Sequence, residues 1–124
     1  NNEEWISCVK EIDSLENIEV AYYMNTGLLD KCSTAIKKKN INDQNLICKE
    51  LYSTTENLLK KINIRSITYD FKIGKEAILN NPSFKNYKWH VWHVDNLSDF
   101  QSLTTRDNIG IILLKNNKSL NNLN

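Results

Sequence analysis

Over the first half of the chain, apolar residues recur at steps of three and four, the spacing that lines one face of an α-helix. Trp5, Cys8, Val9, Ile12 and Leu15 make one such stripe, with Glu3 and Glu4 at the end where the helix dipole favours negative charge. A bend at Glu16-Asn17 leads into a short second helix that turns Val20, Tyr23 and Met24 inward and closes at Thr26-Gly27. A third helix buries Leu28, Leu29, Cys32, Ala35 and Ile36 and ends on Lys37, Lys38 and Lys39, cations at the negative end of the dipole. The fourth opens on Asn42 as N-cap, with Ile41 before it and Leu46 inside it at the spacing of a hydrophobic staple. Its inner face reads Ile47, Leu51, Thr54, Leu58 and Ile62, about twenty residues of sustained period.

Past Asn63 the pattern changes. Residues 64–71 alternate weakly, residues 73–79 fit one more helix stopped by Asn80-Asn81-Pro82, and residues 87–94 are rich in strand-forming side chains. A short helix at 98–103, an extended segment at 109–114 and an Asn-rich tail from 116 finish the chain. The pattern predicts a mainly α fold, a compact bundle of four to five helices whose C-terminal half is less regular and partly extended. Residues 1–124 are read as one domain: a four-helix module at 5–62, an extension at 64–115 that packs on it, and a tail at 116–124.

Composition narrows the function. A chain of 124 residues with one Pro and three Gly holds a single packed core. Its 16 Lys/Arg against 15 Asp/Glu leave a formal charge of +1, too little for a general phosphate-binding surface, so nucleic acid is not the expected partner. The longest apolar run, residues 109–114, falls far short of the roughly 20 residues that span a bilayer, and the start carries no signal-peptide pattern. The abrupt beginning suggests a piece of a longer protein. Nineteen asparagines read as codon bias. Cys8, Cys32 and Cys48 cannot all pair, and each lies among apolar residues, so free thiols in a reducing, intracellular compartment are expected.

Candidate chemistry is sparse. No Cys-x-x-Cys pair exists, and His90 and His93 have no nearby thiol or paired carboxylate, so neither a metal nor another cofactor is expected. His93 and Asp95 share a face of an extended segment without a nucleophile between them. Gly74-Lys75 lacks the upstream glycine and following hydroxyl of a phosphate loop. The expected protein is not an enzyme. In residues 87–94, aromatics and cations interleave as they do where single strands of nucleic acid are stacked, but the neutral charge favours a segment sealing the core.

Three stretches, residues 9–20 (VKEIDSLENIEV), Thr26-Gly27-Leu28-Leu29 and Ala35-Ile36-Lys37-Lys38-Lys39, together with Cys48-Lys49-Glu50-Leu51 and residues 58–62 (LLKKI), carry a resemblance. Residues 8–62 resemble the N-terminal domain of transcription elongation factor S-II and its relative, the integrase-binding domain of the lens epithelium-derived growth factor. The resemblance implies a right-handed helical bundle that binds short disordered segments of transcription or chromatin regulators, acidic residues beside a phenylalanine, in the nucleus. The matching positions for peptide binding are Trp5, Lys37, Lys38, Lys39 and Ile41. Each also has a structural role open to it: Trp5 in the core, Ile41 as staple, and the lysines as a solvated helix end. The alternative is a structural subunit of a larger assembly, joined through an interface around Trp89 and Trp92.

Overall fold

A computed structural model describes residues 4, 7, 8, 11 and 19–114. Four parallel strands, β1 (Ala21–Tyr23), β2 (Ser66–Asp70), β3 (Lys88–Val94) and β4 (Ile109–Leu114), form one sheet in chain order. Between β1 and β2 run helix α1 (Thr26–Lys37), a short turn of helix (Ile41–Asp43), a π-helical segment (Gln44–Cys48) and helix α2 (Lys49–Ile62). Helix α3 (Phe71–Leu79) and a 3-10 turn (Pro82–Phe84) join β2 to β3, and α4 (Leu97–Thr104) joins β3 to β4. Each connection steps one strand in the same direction, so right-handed crossovers bring the helices onto one face of the sheet.

The register shows which face that is. Tyr22, Ile67, Trp89 and Ile109 align across the strands, followed by Tyr69, Val91 and Ile112. Ile67, Tyr69, Trp89 and Val91 are fully buried and join Leu29, Cys32, Leu51, Leu59, Phe71 and Ile78 of the helices in one core. The opposite face carries Tyr23, Thr68, His90 and Ile111 in line, with Asp70 beside Trp92.

The mainly α bundle is therefore corrected to an α/β fold. Residues read as the second helix make strand β1, and the weakly alternating residues 64–71 contain β2. A strand within residues 8–62 rules out four consecutive helices there. The physical reason is that β1 is three residues long and is stabilised by pairing with a strand more than forty positions away, which no local period records. Strand β2 also shows little alternation because Ser66 and Asp70 on one face are buried as well as Ile67 and Tyr69 on the other.

Asn25 caps α1, its Oδ1 accepting from the Leu28 N–H at 2.9 Å. Lys39 at φ 55° then turns the chain out of that helix. The next helical run is capped by Asn40, not Asn42, with Oδ1 accepting from the Asp43 N–H at 3.1 Å. Ile41 and Leu46 do not form a staple: they are 63% and 72% exposed. Helix α2 buries Leu51, Thr55, Leu59 and Ile62 at helical spacing and ends on Asn63 in the left-handed conformation that Asn tolerates. Cys32 and Cys48 are joined in a disulfide between α1 and the π-helical segment, which corrects the free-thiol expectation for both; Cys8 is free and exposed rather than turned inward.

Gly74 packs against the centre of the core. A Cβ there would lie 2.6 Å from Tyr69 Cε2 and 3.2 Å from Ile78 Cγ1, and Tyr69 is fully buried, with its hydroxyl donating to the Lys75 carbonyl at 2.9 Å. The ring has no free direction in which to yield. Gly74→Ala is expected to destabilise by about 1–3 kcal/mol through overpacking, despite alanine's better helix propensity. Urea unfolding checks this, and an unchanged or raised midpoint would contradict it.

Candidate functional site at the carboxyl edge of the sheet

Parallel sheets place ligands outside the carboxyl ends of their strands, where loops and helix starts converge. At that edge Tyr23 ends β1, Asp70 ends β2, Trp92 and His93 lie near the end of β3, and Leu113 and Leu114 end β4. Asp70 is also the N-cap of α3, its Oδ1 accepting from the Lys72 N–H at 2.9 Å. Its Oδ2 meets His93 Nδ1 at 3.0 Å, so a carboxylate that is only 5% exposed binds a backbone amide and an imidazole together.

His93 reaches that position through a backbone irregularity. It has φ 64° inside a strand, and the pairing of β3 with β4 shifts between Val91 and Val94. A bulge of this kind re-aims a side chain. Here it lets Val91 and Val94 both enter the core while His93 lies against Trp92, the two rings stacked 4.6 Å apart and 11° from parallel. A non-glycine residue with positive φ costs on the order of 1 kcal/mol or more and persists only where its surroundings fix it, commonly at ligand sites. The ring of Tyr23 lies 6.1 Å from the indole, tilted by 41°. Desolvation raises the pKa of its hydroxyl, and the charge of Asp70 adds to the rise.

Tyr23, Thr68, Trp92, His93, Leu113 and Leu114 line a recess of about 490 Å³. Its walls are aromatic and aliphatic, and the Asp70–His93 pair supplies the strongest polar feature. Farther along the same face, Glu19 accepts a hydrogen bond from Ser66 Oγ at 2.6 Å, which holds its carboxyl below the usual range. His90 Nε2 lies 3.7 Å from the same carboxylate. The two histidines thus have separate acidic partners. Among the described residues, no group of three or more His, Cys, Asp or Glu is arranged to hold a metal ion, and no helix is long and apolar enough to cross a membrane.

The residues expected to bind peptide lie elsewhere. Lys37, Lys38, Lys39 and Ile41 are all exposed at the junction between α1 and the next helical turn, so the chain brings these four together. Trp5 lies outside the described residues. A cavity of about 740 Å³ nearby is lined by Ile36, Gln44, Cys48, Lys49, Tyr52 and Glu56 among others, but not by the lysines or Ile41. The two tryptophans of the alternative interface part company: Trp89 is in the core and Trp92 is on the open face.

The site residue that sequence reasoning missed is Asp70. Sequence proximity sets His93 beside Asp95, two positions away, whereas the structure pairs it with an aspartate twenty-three positions earlier on the neighbouring strand. The available signal was the order of residues 66–71: a β-favouring run, then Asp, then a helical pattern, which marks an N-cap at a strand's carboxyl end. Comparison with known protein families, curated proteins and solved structures finds no match, so function is argued from this geometry.

Proposed function

We propose that this chain is a binding domain that takes a small, largely apolar molecule in the carboxyl-edge recess, oriented by the Asp70–His93 pair. The observation that carries the reading is the convergence of a buried carboxylate with a positive-φ histidine at the end of the sheet where α/β folds bind ligands. An apolar recess of a few hundred Å³ with one placed polar group is the ordinary form of a small-molecule site. The pair supplies an oriented imidazole, with which a bound molecule forms a directed hydrogen bond.

The test uses a library of planar aromatic fragments followed by ligand-observed NMR. His93→Asn removes the imidazole while keeping a residue that accepts positive φ, and Asp70→Asn keeps an effective helix cap while removing the carboxylate. Fragments that bind the parent are expected to lose about tenfold or more in affinity to either variant, in line with a buried polar group left without its hydrogen-bond partner. Hits indifferent to both substitutions would sink the proposal, as would a library without hits.

A second reading keeps the peptide-docking module, because Ile41 and Leu46 are large apolar side chains more than half exposed beside Lys37, Lys38 and Lys39. An apolar pair with a basic rim suits an acidic, Phe-containing segment of a nuclear transcription or chromatin regulator. Ile41→Asp should then abolish binding of such a peptide, while Lys38→Glu with Lys39→Glu should mainly slow association. The Cys32–Cys48 disulfide weighs against a reducing nuclear setting, since disulfides persist chiefly in oxidising compartments.

A further inference from the structure

Resting on the carboxyl-edge reading, the inference concerns which chemical group the recess accepts. A carboxylate can only accept hydrogen bonds, so when Asp70 engages His93 at 3.0 Å the proton of that bond is on Nδ1. In the neutral ring Nε2 is then left as an acceptor. Asp70 holds the imidazole by its edge and Trp92 by its face, which fixes the direction in which that acceptor is offered. The surrounding wall adds no competing charge: Leu113 and Leu114 are 55% and 47% exposed and present hydrocarbon, and Trp92 presents a ring whose Nε1–H is buried and without a hydrogen-bond partner among the described residues. The Tyr23 and Thr68 hydroxyls donate or accept equally and do not discriminate.

Three kinds of aromatic ligand fare differently against such a wall. An anionic one brings its charge towards the buried carboxylate of Asp70, and Nε2 of the neutral imidazole offers it no donor. One lacking any hydrogen-bonding proton leaves Nε2 desolvated and unpartnered. One with a neutral hydroxyl satisfies Nε2 and stacks or packs its ring on the apolar surface. We infer that the recess selects neutral aromatic alcohols, ring systems of one or two fused rings bearing a hydroxyl that donates to His93 Nε2.

The experiment titrates the protein with 2-naphthol, 2-methoxynaphthalene and 2-naphthoate, following the imidazole resonances of His93 and the indole resonance of Trp92. Naphthol is expected to bind best and to shift both rings. The ether, unable to donate, should bind about tenfold or more weakly, and the carboxylate weaker still. His93→Asn should erase the difference between naphthol and ether. If the carboxylate binds best, or the ether equals the alcohol while His93 still shifts, the recess is a ligand site but the ligand class is wrong. If none of the three shifts His93 or Trp92, the carboxyl-edge reading fails along with the inference.

Discussion

Trp89→Ala is expected to lower the free energy of unfolding by about 3–5 kcal/mol, the largest loss of any single substitution considered. Trp89 is fully buried on an inner strand of the sheet, with its ring 5.1 Å from Tyr69 and 5.8 Å from Phe84, both edge to face. Its removal leaves a void in the layer between sheet and helices, lined by aromatic rings whose packing cannot collapse into it without moving strands. Trp89→Phe should cost much less. Phenylalanine keeps a ring in the site, and it removes an indole N–H that is buried without a hydrogen-bond partner among the described residues. Urea unfolding followed by circular dichroism checks both variants. A loss below about 1 kcal/mol for alanine would mean the indole is not in a packed core, and an interface role for Trp89 would regain ground.

Breaking the Cys32–Cys48 bond is expected to cost about 3 kcal/mol, the chain-entropy value for a loop of this size. The cysteines are sixteen positions apart and tie α1 to the π-helical segment, where both sulfur-bearing residues are buried. Without the tie the unfolded chain regains the freedom of that loop, while the native packing of α1 against the segment has to hold by itself. Thermal melts of the protein with and without a dithiol should differ by roughly 10 °C, taking about 4 °C per kcal/mol for a domain of this length. Cys32→Ala with Cys48→Ala should melt with the reduced protein and show no further response to the reductant. Alkylation of the untreated folded protein should label Cys8 alone. Labelling of all three would restore the free-thiol reading and the reducing compartment that followed from it.

Much of the fold was legible as pieces. The spacing of Leu29, Cys32 and Ala35 marked α1, the run through Leu51 and Ile62 marked α2, and residues 73–79 and 98–103 fall within the helices α3 and α4. The extended readings of residues 87–94 and 109–114 correspond to β3 and β4. What failed was the second helix. Val20, Tyr23 and Met24 fit a helical step as well as a strand, and so short a segment takes its conformation from its partner, here the alignment of Tyr22 with Ile67. With β1 missing and residues 64–71 only weakly alternating, the order strand, helices, strand, helix, strand, helix, strand was hidden, and with it the parallel sheet.

The site was less legible, for a related reason. The helix-capping and staple rules are local and pointed to Asn42 and Ile41, one of which proved displaced by two residues and the other exposed. Asp70 and His93 meet only because β2 and β3 are neighbours in register, and His93 faces Trp92 only because of a bulge that residues 88–94 do not advertise. A pairing created by strand register has no signature in sequence separation. Strict alternation along residues 87–94 would place Trp89 and His93 on one face, whereas the bulge leaves Trp89 inside and turns His93 out beside Trp92.

The most direct test of the central claim compares the two histidines inside one molecule. His93, paired with Asp70, lines the recess; His90, near Glu19, lies on the same sheet face away from the carboxyl edge. Side-chain 15N spectra recorded while the tightest-binding aromatic fragment is added should show the Nε2 resonance of His93 moving to saturation with the ligand, the Trp92 indole moving with it, and His90 remaining in place. Saturable binding that leaves His93 unmoved, or that instead perturbs the amides of Lys38 and Ile41, would contradict the carboxyl-edge site.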